Sequence, residues 1–225
     1  MKIDFHTHSH YSDDCIFSPE TIIKSALKKG LDGIAITDHN TIAGWPAAIT
    51  AAKKLGAVLI LGEEIKIKKN GRTVGEVLGY FLTKKINPKG KSVEQIIEEI
   101  RKQGGLAIIA HPFNWVRPFK ELEKYKNLAD GVESFNSRTQ SKKINKKNLE
   151  FSQRNNLPMT AGSDCHSPFE AGLAYVEADA KTPEEFKELI LQRKVKIFGK
   201  QAPFYAQIFA SFGKTVHFFK KLTNS

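Results

Sequence analysis

The stretch Ile3-Asp4-Phe5-His6-Thr7-His8 joins a short apolar run to two histidines near the start of the chain. Side chains alternate between the two faces of a β-strand, so His6 and His8 are predicted to point to the same side. Two imidazoles placed in this way can reach one metal ion. Because an H-x-H pattern is weak evidence by itself, its meaning depends on the rest of the chain.

Similar chemistry recurs at the ends of other short apolar runs, where a histidine or carboxylate follows the last apolar residue. These motifs are Thr37-Asp38-His39, Gly62-Glu63-Glu64, Ala110-His111-Pro112 and Gly162-Ser163-Asp164-Cys165-His166. The apolar runs alternate with helical patterns, which predicts a parallel sheet with helices outside it. Polar residues at the carboxyl ends of six or seven such strands favour a closed α/β barrel whose active site lies at that face.

Local signals place several elements. Ser18 and Pro19 predict a helix start, and Ser92 with Gln95 predicts a capping box. Asn70-Gly71 favours a tight hairpin turn, and the second arm of that hairpin carries Glu76. We expect one barrel domain over residues 1–200, followed by an amphipathic, Phe-rich helix or tail over residues 201–225, whose apolar face covers either the barrel or a partner.

The composition is that of an ordinary globular protein, with 40% hydrophobic and 26% charged residues among 225. No run of about 18 apolar residues exists, and no signal-like start precedes the first strand. We therefore expect a soluble, cytoplasmic protein with no membrane partner. Cys15 and Cys165 are interpreted as reduced thiols, although a disulfide between them is conceivable.

The net charge is strongly positive, since 35 Lys and Arg oppose 24 Asp and Glu, giving +11. Such a field favours anionic partners. A lysine-rich solvated surface explains the same count without any partner.

Imidazole and carboxylate groups, without cysteine among the candidate ligands, suit Zn²⁺, Mn²⁺ or Fe²⁺. More than four such groups imply more than one ion, and ions that share a hydroxide favour hydrolysis. Asp38 is either a turn residue or a partner that orients an imidazole.

The motif set, read together with Ser12-Asp13, resembles that of the PHP (polymerase and histidinol phosphatase) family from residue 2 to about residue 200. The resemblance implies a distorted (β/α)7 barrel and a centre of two or three divalent ions. It also implies hydrolysis of phosphoesters, from a small phosphorylated metabolite or nucleotide, by a metal-bound hydroxide. It does not fix the substrate.

Carried over by motif, the resemblance implies that Glu64 bridges two ions, while Glu63 is a lesser candidate. Glu76 stands where several relatives have a histidine, so it is either a ligand or a general base, and Asp13 stands where other relatives have a histidine. The implied metal ligands are His6, His8, Asp13, His39, Glu64, Glu76, His111, Asp164 and His166. The implied catalytic residues are His39, Glu76, His111 and Asp164.

Arg117 and Arg138 are the predicted substrate-binding residues, because both follow strands on the proposed active face and guanidinium matches phosphate oxygens. Three alternatives stay open: a nuclease that trims oligonucleotides, a non-catalytic metal-binding module, and metal-assisted amide or lactone hydrolysis. The lysine-rich run over residues 141–147 favours the nuclease, but few aromatic residues interleave it.

Overall fold

The computed structural model describes residues 1–139, 141–203, 205, 206, 211 and 213–216. It is a single α/β domain built around one nearly closed, barrel-shaped sheet, as the sequence predicts. The strands are β1 (Lys2–Thr7), β2 (Gly33–Ile36), β3 (Val58–Lys69), β4 (Arg72–Tyr80), β5 (Leu106–Ile109), β6 (Gly131–Asn136), β7 (Met159–Gly162), β8 (Ala174–Glu177) and β9 (Lys196–Gly199).

Helices connect most of these strands: α1 (Pro19–Lys28), α2 (Trp45–Leu55), α3 (Val93–Lys102), α4 (Leu122–Tyr125), α5 (Lys142–Arg154) and α6 (Pro183–Leu191). Their starts follow the sequence signals. The side chain of Ser18 caps α1 by accepting from the Thr21 amide, and Ser92 and Gln95 form the predicted capping box of α3.

The strand order is β7-β6-β5-β4-β3-β2-β1-β8-β9. The pairs β1–β2, β2–β3, β5–β6 and β6–β7 are parallel, whereas β3–β4, β4–β5, β1–β8 and β8–β9 are antiparallel. The parallel pairs agree with the predicted alternation of strands and helices. The predicted hairpin at Asn70-Gly71 is confirmed and makes β4 antiparallel to β3.

The barrel closes where β7 approaches β1. Gly162 touches His6 so closely that an added Cβ would stand 2.2 Å from the His6 Cβ, so only glycine fits. Just beyond it, the Asp164 amide donates to the His6 carbonyl oxygen at 2.7 Å, and the His8 amide donates to the Cys165 carbonyl oxygen at 3.2 Å. These contacts bring two motifs that are far apart in sequence to the same edge.

Apolar packing holds the strands against the helices. Phe5 of β1 lies edge-on to Tyr80 of β4, with 5.1 Å between ring centroids, and 5.4 Å from Phe186 of α6. All three side chains are fully buried, so together they contribute several kcal/mol, at roughly 1.5–3 kcal/mol per large apolar side chain.

The amphipathic helix or tail predicted over residues 201–225 lies largely outside the described residues. Cys15 and Cys165 are both buried, and no disulfide joins them. Within the described part of the chain, none of the helices combines the length and the apolar character needed to cross a bilayer.

Candidate metal centre

The histidines and carboxylates of the sequence motifs converge at the carboxyl ends of β1, β2, β5 and β7 and at the middle of the long strand β3. Two of them have unusual backbones: His111 has φ 25° and Asp164 has φ 54°, in the left-handed region. Non-glycine residues adopt such angles rarely, and often at functional sites. In this chain the sharp turns aim both side chains back over the strand ends.

His6, His8 and Asp164 form the first group of the cluster. The Nε2 atoms of His6 and His8 lie 3.1 Å apart. Asp164 Oδ1 lies 3.2 Å from the His8 Nε2 and 3.7 Å from the His6 Nε2. All three ligand-type atoms therefore face one point.

Glu64 joins this group to the next one. Its Oε2 lies 3.5 Å from Nε2 of both His6 and His8 and 2.7 Å from His39 Nδ1. Its Oε1 lies 3.0 Å from His111 Nε2, and Glu76 Oε2 lies 3.2 Å from the same nitrogen. Glu64 thus has the central position expected of a bridging carboxylate.

A carboxylate also lies between His39 and His166, but it belongs to Asp14. Asp14 Oδ2 lies 3.3 Å from His39 Nε2, and Asp14 Oδ1 lies 3.1 Å from His166 Nε2. The predicted residue, Asp13, is exposed. Burial alternates along this loop, with Ser12 and Asp14 inside and Tyr11 and Asp13 outside, so the motif register is one residue later than predicted.

Charge and burial shift the pKa values of these groups in opposite directions. Burial, with His39 and His166 nearby, lowers the pKa of His8 to about 3. Burial also opposes the charged form of His39, but Glu64 and Asp14 outweigh it and raise the pKa of His39 to about 9. Without a cation, protonated imidazoles therefore compensate the negative charge of the buried carboxylates. A metal ion, in contrast, binds imidazole in its neutral form.

The donor set fits divalent metal ions. Three overlapping groups place their ligand-type atoms within 4.8 Å of one another: His8, His39 and His166; His6, His8 and Asp164; and His39, Glu64 and Glu76. Among the described residues, buried atoms of the cluster such as Asp14 Oδ1, Glu64 Oε2 and Glu76 Oε2 lack hydrogen-bonding geometry with any partner. Buried anionic oxygens of this kind need a compensating charge.

Comparison with known proteins agrees with this arrangement, because residues 4–205 match the PHP domain family. The chain belongs to the PHP domain family. The resemblance stated from the sequence motifs is thereby confirmed.

Two individual proteins are similar to parts of this chain. The chain is 40% identical over 147 residues to an uncharacterized protein of Methanocaldococcus jannaschii, covering 61% of this chain and 82% of that protein. It is 35% identical over 107 residues to a 5'-3' exoribonuclease of Haemophilus influenzae, covering 48% of this chain and 38% of that enzyme. The second match is therefore partial on both sides.

The fold is similar to that of a two-domain protein from Bacteroides vulgatus that contains a predicted PHP-like metal-dependent phosphoesterase. The TM-score is 0.72 at 22% identity, over 89% of this chain and 65% of that chain. The barrel-type α/β fold inferred from the sequence is thus confirmed, with nine strands in the sheet.

Sequence reasoning did not assign a role to Glu133, which supports two histidines of this PHP centre. Glu133 Oε1 lies 2.8 Å from His6 Nδ1, and its Oε2 accepts from the His111 amide at 2.9 Å. The Asn136 side chain donates to both carboxylate oxygens and, at 3.3 Å, to Asp164 Oδ2. The available signal was a charged residue inside the otherwise buried strand β6.

Asp38 is linked to the imidazole of His8 through the hydroxyl of Ser12. Asp38 Oδ1 accepts from the Ser12 hydroxyl at 2.9 Å, and Ser12 Oγ lies 3.2 Å from His8 Nδ1. Asp38 also accepts from the Ser9 amide and hydroxyl. This network fixes the loop that presents Asp14.

The two predicted phosphate-binding arginines have different surroundings. Arg117 Nη1 donates to Glu76 Oε1 at 2.6 Å, and about a third of its side chain is exposed (36%). Arg138 is buried and donates to Glu170 Oε1 at 2.7 Å. Glu170 Oε2 in turn accepts from the His166 amide and the Ser167 hydroxyl. The structure therefore places Arg117 at the mouth of the centre and Arg138 behind it.

Proposed function

We propose that this PHP domain hydrolyses phosphoesters with the help of two or three divalent ions, Mn, Zn or Fe. The observation that carries the proposal is the chain of three overlapping groups of histidine and carboxylate atoms, linked by Glu64. The residues we propose as ligands are His6, His8, Asp14, His39, Glu64, Glu76, His111, Asp164 and His166. Asp14 takes the place predicted for Asp13.

Divalent ions, when bound in such a site, supply Lewis acidity and lower the pKa of water so that hydroxide is available near neutral pH. Burial favours this chemistry, because electrostatic interactions strengthen where water is excluded. The substrate we propose is a small phosphorylated metabolite or nucleotide, since the arginine at the mouth recognises phosphate oxygens.

The protein groups proposed to act on the substrate are Arg117, at the mouth, and four residues of the cluster itself: His39, Glu76, His111 and Asp164. Glu76 has two separate contacts, since its Oε1 accepts from Arg117 while its Oε2 faces His111 Nε2 at 3.2 Å. Glu76 therefore orients the guanidinium toward the site, and a phosphate anion would compete with it for Arg117.

Hydrolysis within an oligonucleotide is the second candidate function. The 35% identity to an exoribonuclease over 107 residues favours it. The chemistry at the centre is the same in both cases, since either substrate presents a phosphoester to the ions, so the two candidates differ only in what binds outside the centre.

Phosphate release tests the proposal. The chain, loaded separately with Mn²⁺, Zn²⁺ or Fe²⁺, is assayed on a panel of sugar phosphates, amino-alcohol phosphates, nucleoside monophosphates and short oligonucleotides. We expect turnover of at least one class, and its loss in Asp164→Ala. Turnover that is equal in Asp164→Ala, or absent with every metal while metal remains bound, would contradict the proposal.

A further inference from the structure

The chain continues past strand β9, and its next residues return to the face of the barrel that carries the metal centre. The Ala202 amide donates to the Ser137 carbonyl oxygen, and the Gln201 side chain donates to the Thr139 carbonyl oxygen, both at 2.7 Å. Ser137 and Thr139 belong to the loop that follows β6 at its carboxyl end. We call the described residues from 201 onward the post-β9 segment; they are 201–203, 205, 206, 211 and 213–216.

One part of the post-β9 segment contacts Arg138. Ala206 is buried, and its carbonyl oxygen accepts from Arg138 Nη1 at 3.4 Å. The same Nη1 donates to Glu170 Oε1 at 2.7 Å, while Glu170 Oε2 accepts from the His166 amide at 3.2 Å. This part of the segment therefore reaches a proposed metal ligand, His166, through two buried side chains.

Another part of the segment packs against the backbone of Asp14. Gly213 is buried, and a Cβ atom added to it would stand 2.4 Å from the Asp14 carbonyl oxygen and 3.1 Å from the Cys15 amide nitrogen. The Asp14 peptide therefore occupies the space that a side chain at position 213 would need, which explains a glycine at this close approach. Gly213 lies in a helical turn, in which the Thr215 hydroxyl donates to the Ser211 carbonyl oxygen at 3.1 Å.

The two contacts converge on neighbouring ligands of the proposed centre. Asp14 Oδ1 lies 3.1 Å from His166 Nε2, and Asp14 Oδ2 lies 3.3 Å from His39 Nε2. Gly213 lies against the backbone of Asp14, while Ala206 lies behind His166. The match to the PHP domain family ends at residue 205, so this chain supplies both contacts from outside the matched part.

We propose that the post-β9 segment positions Asp14 and His166 around one ion of the metal centre, with Gly213 as the positioning residue. This inference rests on the proposed function, because it concerns the same centre. The ions differ in what supports their ligands: His6 is fixed inside the barrel by Glu133, whereas Asp14 depends on a segment that packs against its loop from outside. Displacing the segment is therefore expected to weaken one ion and to leave the ion of His6 bound.

Enlarging the side chain at position 213 tests the proposal. Gly213→Leu places a side chain where the Asp14 carbonyl group stands, and Lys214→Ala, at the adjacent exposed residue, is the control. Isothermal titration of the full chain with Zn²⁺ is expected to show an affinity about 10–100-fold lower for one ion in Gly213→Leu. The affinities of Lys214→Ala are expected to equal those of the unmodified chain. Equal affinities in the two variants would overturn the proposal.

A double variant shows whether Gly213 acts through Asp14. Because Asp14→Asn removes the ligand itself, Gly213→Leu/Asp14→Asn is expected to retain as much metal after dialysis as Asp14→Asn alone. Losses that add together would overturn the proposal, since Gly213 would then affect a different ion.

A smaller substitution keeps the test valid if leucine prevents folding. Gly213→Ala adds one methyl group, and alanine favours a helix more than glycine does. A lower metal affinity in Gly213→Ala is therefore expected from the contact with Asp14 and not from a weaker helix. An affinity equal to that of the unmodified chain would overturn the proposal.

Hydrogen exchange in EDTA separates this inference from the proposed function. The backbone amides of residues 9–17 are expected to exchange faster in Gly213→Leu than in Lys214→Ala, because lost packing promotes local opening. Unchanged exchange there would overturn the inference and leave the proposed function intact. If exchange and metal affinity change as expected but the unmodified chain hydrolyses no phosphoester, the proposed function fails and the positioning role stands.

Discussion

His6 and Glu133 form a fully buried pair in which Nδ1 of the imidazole lies 2.8 Å from Oε1 of the carboxylate. Glu133 therefore fixes the proton on Nδ1, and the other ring nitrogen, Nε2, faces His8 and Asp164. Carboxylates behind metal-bound imidazoles commonly orient the ring and raise its basicity. The pair indicates which nitrogen of His6 is available to an ion.

Replacing Glu133 tests this assignment. Glu133→Gln keeps the side-chain volume but removes the charge, so we expect metal affinity to fall about 10–100-fold. Isothermal titration with Zn²⁺ or Mn²⁺ measures it. Ser134→Ala is the matched control, because Ser134 is the neighbouring buried residue of β6 and bonds instead to Ser152 at 2.7 Å. Equal affinities of the Glu133→Gln and Ser134→Ala proteins would contradict the role of Glu133.

Asp13 and Asp14 offer a comparison of adjacent residues. Asp14→Asn removes the carboxylate charge between His39 and His166, so we expect the dialysed protein to retain less metal. The affinity for the ion that is lost is expected to fall about 10–100-fold, as it does when residues that support metal ligands are replaced. Asp13→Asn changes an exposed side chain and is expected to leave metal content unchanged. Elemental analysis of both variants decides between them, and a loss confined to Asp13→Asn would restore the register predicted from the sequence.

The sequence specified most ligand types and their strand ends, because His and carboxylate residues after short apolar runs are visible as a pattern. The sequence could not show which of Asp13 and Asp14 faces the histidines, because both are carboxylates in the same loop. Only the path of the backbone turns one of them inward. The left-handed backbone of His111 and Asp164 was equally hidden, because neither is glycine. Such angles are imposed by the surrounding fold.

Longer-range contacts explain the other differences. The role of Glu133 depends on β6 lying near β1, which only the closed sheet provides. The surroundings of Arg138 depend on Glu170, which is 32 residues away in sequence. Asn70-Gly71 predicted the antiparallel strand β4 locally. It did not predict how β4 is placed between β3 and β5 in the whole sheet.

The Arg138–Glu170 pair supports a structural role for Arg138 in place of the predicted substrate contact. Arg138→Ala leaves Glu170 buried without its ion-pair partner, so we expect the free energy of unfolding to fall by about 3–5 kcal/mol. Urea denaturation measures this loss, and Arg138→Ala/Glu170→Ala is expected to recover part of it. A higher KM for phosphoester with unchanged stability would instead support the predicted substrate role.

We expect the free energy of unfolding to depend on pH through Glu63, which is not one of the proposed metal ligands. Its Oε2 accepts from the Ile86 amide at 3.0 Å, and burial raises its pKa from 4.5 to about 7. Between these two values the folded chain holds a proton that the unfolded chain has released, so the free energy of unfolding falls as pH rises. The loss is nearly complete about one pH unit above the folded pKa and amounts to about 3 kcal/mol, at 1.36 kcal/mol per pKa unit.

Glu63→Gln removes this titration. In EDTA, the difference in unfolding free energy between Glu63→Gln and the unmodified chain is expected to grow in favour of the variant from pH 5 to pH 8, by about 2.5 kcal/mol. Replacing the exposed Glu184 by glutamine is the control for the loss of one carboxylate charge. A difference that stays constant across this range would show that Glu63 is ionised in the folded protein, with its charge compensated by its surroundings.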